Sequence, residues 1–253
     1  MEQKVALYGV VGKKLNHSFS PAYFAEKFKT EKIINSEYKA FEVDTTQAII
    51  TLFKRHVNLK GLNVTIPFKE SIIDLLDEID PEAALVGAVN TIKRESDGKL
   101  KGYNTDIYGF AMSIKPFFAS HHDRALIFGN GGASKAINHV LQRLGVTTLF
   151  VIRNKHTKNT VANSVDYNEL GAAGIANFKL LVNTTPVGMF PNQHEILPIP
   201  YEGITTQHLV YDVIYNPERT PFLESAERKG AKTINGLNML KLQAEKSWEI
   251  WNL

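Results

Sequence analysis

The sequence predicts an α/β fold in two units. Three observations carry this reading. Short buried strands alternate with amphipathic helices along almost the whole chain. A glycine-rich turn, GNGGAS, follows one such strand near the midpoint and opens a helix. The length, 253 residues, suits two modest domains at ~100–200 residues each. Strand–helix alternation implies mostly parallel sheets with right-handed crossovers.

The elements follow in order. VALYGV (5–10) reads as a strand. Ser20-Pro21 opens a helix through about Lys32, with Ser20 expected as N-cap and proline at the first helical position. YKAFEV (38–43) is a strand. Asp44 or Thr45 caps a helix through His56, and LKGLNVTI (59–66) is the next strand. A helix is expected over 69–79, with Ile72, Ile73, Leu76 and Ile79 on one face. Residues 89–104 form a hairpin around Ser96-Asp97-Gly98, and a helix spans about 105–119. The second unit opens with strand RALIFG (124–129), the glycine turn, and a helix over 133–144 that stops at Gly145. Strands follow at TTLFVI (147–152), KLLVN (179–183) and HLVYDV (208–213). TPFLESAERKG (220–230) is a helix, AKTI a short strand, and 237–252 a terminal helix. Residues 154–178 are too weakly patterned to assign.

Composition narrows the function classes. Hydrophobic residues make up 43% and charged residues 22%, the balance of an ordinary globule. The chain has no cysteine, which excludes disulfides, thiolate metal sites and thiol nucleophiles together and fits a reducing compartment. The net charge of +3 is too small, and the cations too scattered, for a nucleic-acid binder. No apolar run approaches the ~20 residues of a membrane span. The N-terminus, MEQKVALYGVVG, lacks a signal-peptide layout, so a cytoplasmic protein is expected. No metal cluster is expected. The expected partner is a small-molecule substrate, with neither nucleic acid nor membrane involved, and a homodimer is left open.

The glycine turn points to a dinucleotide. Gly129, Gly131 and Gly132 stand between a strand and a helix, with Asn130 inside the turn and Ala133 at the helix start. Such a turn brings backbone N–H groups against a pyrophosphate at the positive end of a helix. Ser134 occupies the place of the last fingerprint glycine, and the small residues Ala133, Ser134 and Ala136 still permit close helix–sheet packing. NAD sites place an acid at the end of the following strand. Here the stretch is RNKHTK, with Arg153, Asn154 and Lys158 and no acid, a group that suits a 2′-phosphate and favours NADP. A plain solvated basic loop is the alternative.

Four stretches of the first unit embed small polar side chains in apolar sequence. HSFSP offers Ser18 and Ser20, two apart and facing one way if the segment is extended. NVTIPFK offers Asn63 and Thr65 on one strand face, then Lys69. GAVNT offers Asn90. GYNTD offers Asn104, Thr105 and Asp106 at a helix start, where Asp106 could equally be an N-cap. Hydroxyls, amides, one amine and one carboxylate suit a small polyhydroxylated ligand, and in open α/β sheets such ligands sit at the carboxyl ends of strands.

These stretches resemble the shikimate dehydrogenase family, whose members interconvert 3-dehydroshikimate and shikimate with NADP. The matching motifs are HSFSP, GLNVTIPFKE, GAVNT, GYNTD, GNGGASKA, NTTPVGM, YDVIYNP with TPFL, and NGLNMLKLQA, in family order over essentially the whole chain. The resemblance implies a substrate-binding unit of residues 1–104 with 238–253, and a Rossmann-like, doubly wound NADP-binding unit of 105–237. It implies that Ser18 and Ser20 bind the substrate carboxylate. Asn63, Thr65, Asn90, Thr105, Tyr215 and Gln243 line the ring, and Lys69 and Asp106 form the catalytic pair. Gly129, Asn130, Gly131, Gly132 and Ala133 hold the pyrophosphate. Arg153, Asn154 and Lys158 hold the adenosine phosphate, and Val213 and Gly236 flank the nicotinamide. The chain departs from the family pattern in RNKHTK, where Asn154 takes the place of the first arginine.

In that chemistry a ring carbonyl gains a hydride and a proton, and a group within hydrogen-bond reach must supply the proton. A free lysine ionises near ~10.4, desolvation lowers that value and a nearby carboxylate raises it. Lys69 as proton shuttle and Lys69 as fixed cation therefore both stay open. An NAD-preferring quinate/shikimate dehydrogenase is the nearest alternative. A non-catalytic cofactor-binding sensor is another, against which the presence of both Lys69 and Asp106 argues.

Overall fold

A computed structural model describes residues 5–15, 19–153 and 163–253. They form two compact units: residues 1–105 with 244–253, and residues 106–243. The expected division fell at 104/105 and 237/238; the second boundary instead lies inside the terminal helix.

The first unit is built on a six-stranded mixed sheet. Its strands are β1 (Ala6–Gly12), β2 (Ser36–Glu42), β3 (Leu59–Val64), β4 (Glu78–Ile79), β5 (Thr91–Arg94) and β6 (Leu100–Tyr103), in the order β2-β1-β3-β5-β6-β4. β1 pairs in parallel with β2 and β3, whereas β5 is antiparallel to both β3 and β6. Residues of β1 alternate between two cores, as the two-residue strand period demands. Leu7 and Val11 join Ile49 and Phe53 of α2 (Thr46–Arg55), along with Leu59 and Leu62. Tyr8 packs the opposite way, with Phe24 and Phe28 of α1 (Ser20–Thr30) and Trp251 of α8 (Leu237–Asn252). A fully buried aromatic such as Phe24 contributes about 1.5–3 kcal/mol. Trp251 and Trp248 are thus packing residues, and the Trp251 indole N–H is satisfied by the Ile92 carbonyl at 2.9 Å.

Three local expectations change. Ser20 is not the N-cap of α1: Phe19 holds that position without a side-chain cap, and Ser20 is the first helical residue. The helix expected over 69–79 is only a 3-10 turn, Ile73–Leu75, followed by extended chain at Leu76 and the short β4. The Asp77 and Asp80 N–H groups bond to the Leu100 and Gly102 carbonyls, so the backbone is satisfied by β6 instead of by helical turns. Ile72, Ile73, Leu76 and Ile79 still face the core. The third change is an unassigned helix, α3 (Pro81–Val86), with Asp80 capping its first turn and Gly87 ending it at φ 69°.

The second unit carries six parallel strands: β7 (Arg124–Phe128), β8 (Thr147–Ile152), β9 (Ser164–Asp166), β10 (Leu180–Asn183), β11 (Leu209–Asp212) and β12 (Lys232–Ile234). Their spatial order, β12-β11-β10-β7-β8-β9, is the 3-2-1-4-5-6 order of a doubly wound dinucleotide-binding sheet. The sheet is covered by α4 (Asp106–Ile114), α5 (Gly132–Arg143), α6 (Ala172–Asn177) and α7 (Pro221–Glu227). β9 and α6 fall in the stretch left unassigned from sequence. The helix expected over 105–119 ends at Ile114, and turns follow. A side chain at Gly109 would strike the Met239 carbonyl at 2.7 Å and the Gln243 Cβ at 3.0 Å. This close packing of α4 on the first half of α8 keeps residues 237–243 in the second unit.

Candidate active site

In the first unit the polar residues gather where β3 ends. The Val64 N–H donates to the Asn90 carbonyl at 2.8 Å, and the Val89 N–H to the Lys69 carbonyl at 2.7 Å. Two backbone bonds thereby set Asn63, Thr65, Lys69 and Asn90 beside one another, although 27 residues separate Asn63 from Asn90. Thr65 and Lys69 are half-buried. Asp106 is buried and directly follows Thr105, at the start of α4.

Asn90 is 3% exposed. Its Oδ1 accepts the Thr105 backbone N–H at 2.7 Å and lies 3.2 Å from the hydroxyls of both Thr105 and Thr91. A backbone N–H can only donate, so the atom facing it must be the amide oxygen. The amide nitrogen of Asn90, with its two donors, is the part of the side chain not engaged by these bonds. Asn63 behaves differently. Its Oδ1 accepts from the Tyr38 hydroxyl at 2.8 Å, and its amide nitrogen donates to Ser247 Oγ at 2.8 Å and Thr91 Oγ1 at 3.2 Å. Asn63 is therefore engaged inside the protein. Burial raises the Tyr38 phenol, and a hydrogen bond with the Ser20 hydroxyl acts in the opposite direction. Released from capping, Ser20 joins the same cluster. Ser18 lies outside the described residues.

In the second unit the glycine turn sits at the switch point, where the sheet order reverses between β7 and β10. Gly129 has φ 106°, and an added side chain there would meet Thr184 Oγ1 at 2.7 Å; the close approach and the positive φ both require glycine. Gly131, the N-cap of α5, has φ −83°, and a side chain would meet nothing within 4 Å. The space before the first turn of α5 is thus open, and its leading N–H groups, including those of Gly132 and Ala133, have no carbonyl partner within the helix. Ser134, buried at the last fingerprint position, donates its hydroxyl to the Gly131 carbonyl at 2.6 Å. An open, anion-favouring helix start at a switch point fits a dinucleotide pyrophosphate. Thr184 and Thr185 close this turn from the end of β10. Sequence reasoning did not single them out as site residues; the motif NTTPVGM, directly after a buried strand, is the signal for them.

Arg153, at the end of β8, lines a cavity of about 330 Å³ with Tyr167, Thr185, Met189, Phe190 and Leu197. Burial pushes the Tyr167 phenol up to about 12, and the Arg153 guanidinium pulls it back. Asn154 and Lys158 lie outside the described residues. Val213 and Gly236 are brought together: the Gly236 N–H donates to the Ile214 carbonyl at 2.9 Å, and a side chain at 236 would strike the Val213 carbonyl. The buried carboxylate of Asp212 holds this edge. It accepts from Asn183 Nδ2 at 3.0 Å, the Ile214 N–H at 3.0 Å and the Thr220 hydroxyl at 2.7 Å. Burial raises Asp212 to about 6 against those three bonds. Tyr215 is half-buried in the loop after β11, and Gln243 is buried on α8 with its amide nitrogen 3.0 Å from the Leu240 carbonyl.

Known proteins resemble this chain over nearly its whole length. Residues 10–92 match the family model described as the shikimate dehydrogenase substrate binding domain. A protein of Methanococcus aeolicus named shikimate dehydrogenase (NADP(+)) is 38% identical, over 99% of this chain and 93% of its own. The crystal structure of shikimate dehydrogenase from Aquifex aeolicus superposes with a TM-score of 0.86 at 36% identity, covering 98% of this chain and 92% of that one. Shikimate 5-dehydrogenase from Thermus thermophilus, solved in complex with NADP(H) and shikimate, gives a TM-score of 0.84 at 29% identity, covering 97% of this chain and 92% of that one. No helix among the described residues is long and apolar enough to cross a membrane.

Proposed function

The chain belongs to the shikimate dehydrogenase family, and from that premise we propose that it catalyses the NADP-dependent, reversible reduction of 3-dehydroshikimate to shikimate, a step towards the aromatic amino acids. The observation that carries this reading is the near-full-length likeness to relatives named shikimate dehydrogenase (NADP(+)). The open glycine turn at the switch point and the polar cluster at the end of β3 support it.

NADP, when bound, supplies or accepts the hydride. The N–H groups from Gly129 to Ala133 hold its pyrophosphate, Arg153, Asn154 and Lys158 its adenosine phosphate, and Val213 with Gly236 borders its nicotinamide. Ser18 and Ser20 bind the substrate carboxylate through hydroxyl donors. Asn90 donates its outward amide to a ring oxygen, and Thr65, Thr105, Tyr215 and Gln243 complete the ring contacts. Asn63, engaged with Tyr38 and Ser247, supports these residues from behind. Lys69 and Asp106 form the catalytic pair: Lys69 Nζ hands a proton to the oxygen of the reduced carbonyl and recovers it in the reverse direction. Assembly as a homodimer and residence in the cytoplasm belong to the same proposal.

The test is spectrophotometric. The purified protein, given shikimate and NADP, is expected to raise absorbance at the NADPH band, with NAD and quinate as weaker replacements. No absorbance change with shikimate and either nucleotide would refute the reading.

A further inference from the structure

Three residues to which no substrate contact is assigned surround the amide of Asn63: the half-buried Tyr38 and the buried Thr91 and Ser247. Thr91 and Ser247 are 0% exposed. Ser247 Oγ lies 2.8 Å from Asn63 Nδ2, 2.9 Å from Thr91 Oγ1 and 3.1 Å from Thr105 Oγ1. Thr91 Oγ1 lies 3.2 Å from both Thr105 Oγ1 and Asn90 Oδ1. The cluster joins four elements, β2, β3, β5 and α8, to the residues just before α4.

The direction of its protons follows from what each group can do. Tyr38 donates to Asn63 Oδ1, which fixes the Asn63 amide with its nitrogen inward. That nitrogen has no lone pair to offer, so Ser247 and Thr91 must accept from it. The Thr91 proton is thereby turned away from Asn63, and within its reach lie Asn90 Oδ1, which can only accept, at 3.2 Å, Ser247 Oγ at 2.9 Å and Thr105 Oγ1 at 3.2 Å. Asn90 Oδ1 also takes the Thr105 backbone N–H. Thr91 acts as acceptor on one side and donor on the other, an arrangement in which hydrogen bonds reinforce one another.

We propose that Tyr38, Thr91 and Ser247 are positioning residues that lock the Asn90 amide with its oxygen inward and its nitrogen towards the substrate, so that the site accepts a ligand oxygen as hydrogen-bond acceptor at that point. The inference rests on the reaction proposed above. It adds that substrate orientation depends on hydroxyls that never touch the substrate. Without the Thr91 hydroxyl, Asn90 Oδ1 loses one donor and Asn63 one acceptor, and the outward donors of Asn90 are no longer held in one orientation.

Two substitutions at one position test this. Thr91→Val keeps the shape and removes the hydroxyl, whereas Thr91→Ser keeps the hydroxyl and removes a methyl. Thr91→Val is expected to lower kcat/KM for shikimate about 5- to 15-fold, the effect of one lost hydrogen bond, with KM for NADP unchanged within twofold. Thr91→Ser is expected to retain wild-type kinetics while melting at a lower temperature, because it alone opens a small cavity. A merely structural role would reverse that order, with the serine variant the more impaired. Wild-type kinetics in Thr91→Val, or equal loss in both variants, would overturn the proposal. Should Thr91→Val fail to fold, Ser247→Ala and Tyr38→Phe carry the same expectation of reduced kcat/KM for shikimate at constant KM for NADP. A wild-type protein that turns over no shikimate sinks the proposed reaction instead; an active wild type with indifferent hydroxyl variants sinks only the positioning claim.

Discussion

Lys69 is anchored through its backbone, by the Val89 N–H on its carbonyl, so a substitution there changes the side chain's chemistry more than the fold. Lys69→Ala is expected to lower kcat by about 10²- to 10⁴-fold, the usual range for a lost acid/base group, while shifting KM for shikimate far less. Lys69→Arg separates the two roles. Arginine keeps the charge but does not release a proton at working pH, so an arginine variant as impaired as alanine identifies a proton shuttle. Substantial recovery in stopped-flow turnover identifies a fixed cation instead. Ser20 shows how a single position misleads in sequence. Before proline it reads as a helix cap, but Phe19 takes the cap position and the hydroxyl goes to Tyr38. Neighbouring residue types set the first reading, and a partner 18 positions away in sequence, on β2, set the outcome.

At the scale of elements, the turn between β7 and α5 holds two glycines with opposite demands. Gly131 has an ordinary φ and open space in front of it, so Gly131→Ala should cost the fold at most about 1 kcal/mol, the difference in N-cap preference. Its methyl would stand where the pyrophosphate is proposed to lie. The expected result is a tenfold or larger rise in KM for NADP, an unchanged KM for shikimate and a melting temperature lower by a few degrees at most. Gly129→Ala is the contrasting case. A positive φ and the Thr184 hydroxyl at 2.7 Å make it destabilising by more than about 1 kcal/mol, visible directly in thermal melts. If Gly131→Ala bound NADP normally, the phosphate assignment would be wrong. The chain 69–79 makes the opposite point about elements. Its apolar spacing suits a helix, yet β6 supplies carbonyls that end the helical pattern, and the apolar residues reach the core from an irregular path.

For the molecule as a whole, two sets of buried titrating groups in the second unit oppose each other. Burial pushes His122 down to about 4, with His121 and His208 adding to it, and burial also lowers His208. Below the ordinary histidine value of ~6.5 the unfolded chain takes up protons that the folded chain refuses. This contribution to stability is complete above ~6.5 and is lost as pH falls towards 4. Asp212, raised to about 6, works the other way: between 6 and ~3.9 the folded chain binds the proton and the unfolded chain does not. Its contribution therefore grows as pH falls through 6. Asp212→Asn should leave the histidines unopposed and steepen the fall in melting temperature from about pH 6.5 to 4, and His122→Gln should flatten it. Parallel slopes in all three proteins would refute this account. Both sets were invisible in sequence, because burial arises only when distant strands assemble. The sequence by itself determined the α/β class, the order of nearly all strands and helices, the glycine turn and the residues able to carry the chemistry, since these depend on local periodicity and side-chain type. Tertiary structure alone decided the strand order that makes the switch point, the donors gathered on the Asn90 amide oxygen, and the engagement of the Asn63 amide inside the protein. Those outcomes turn on hydrogen bonds between residues far apart in the chain, for which no local pattern exists.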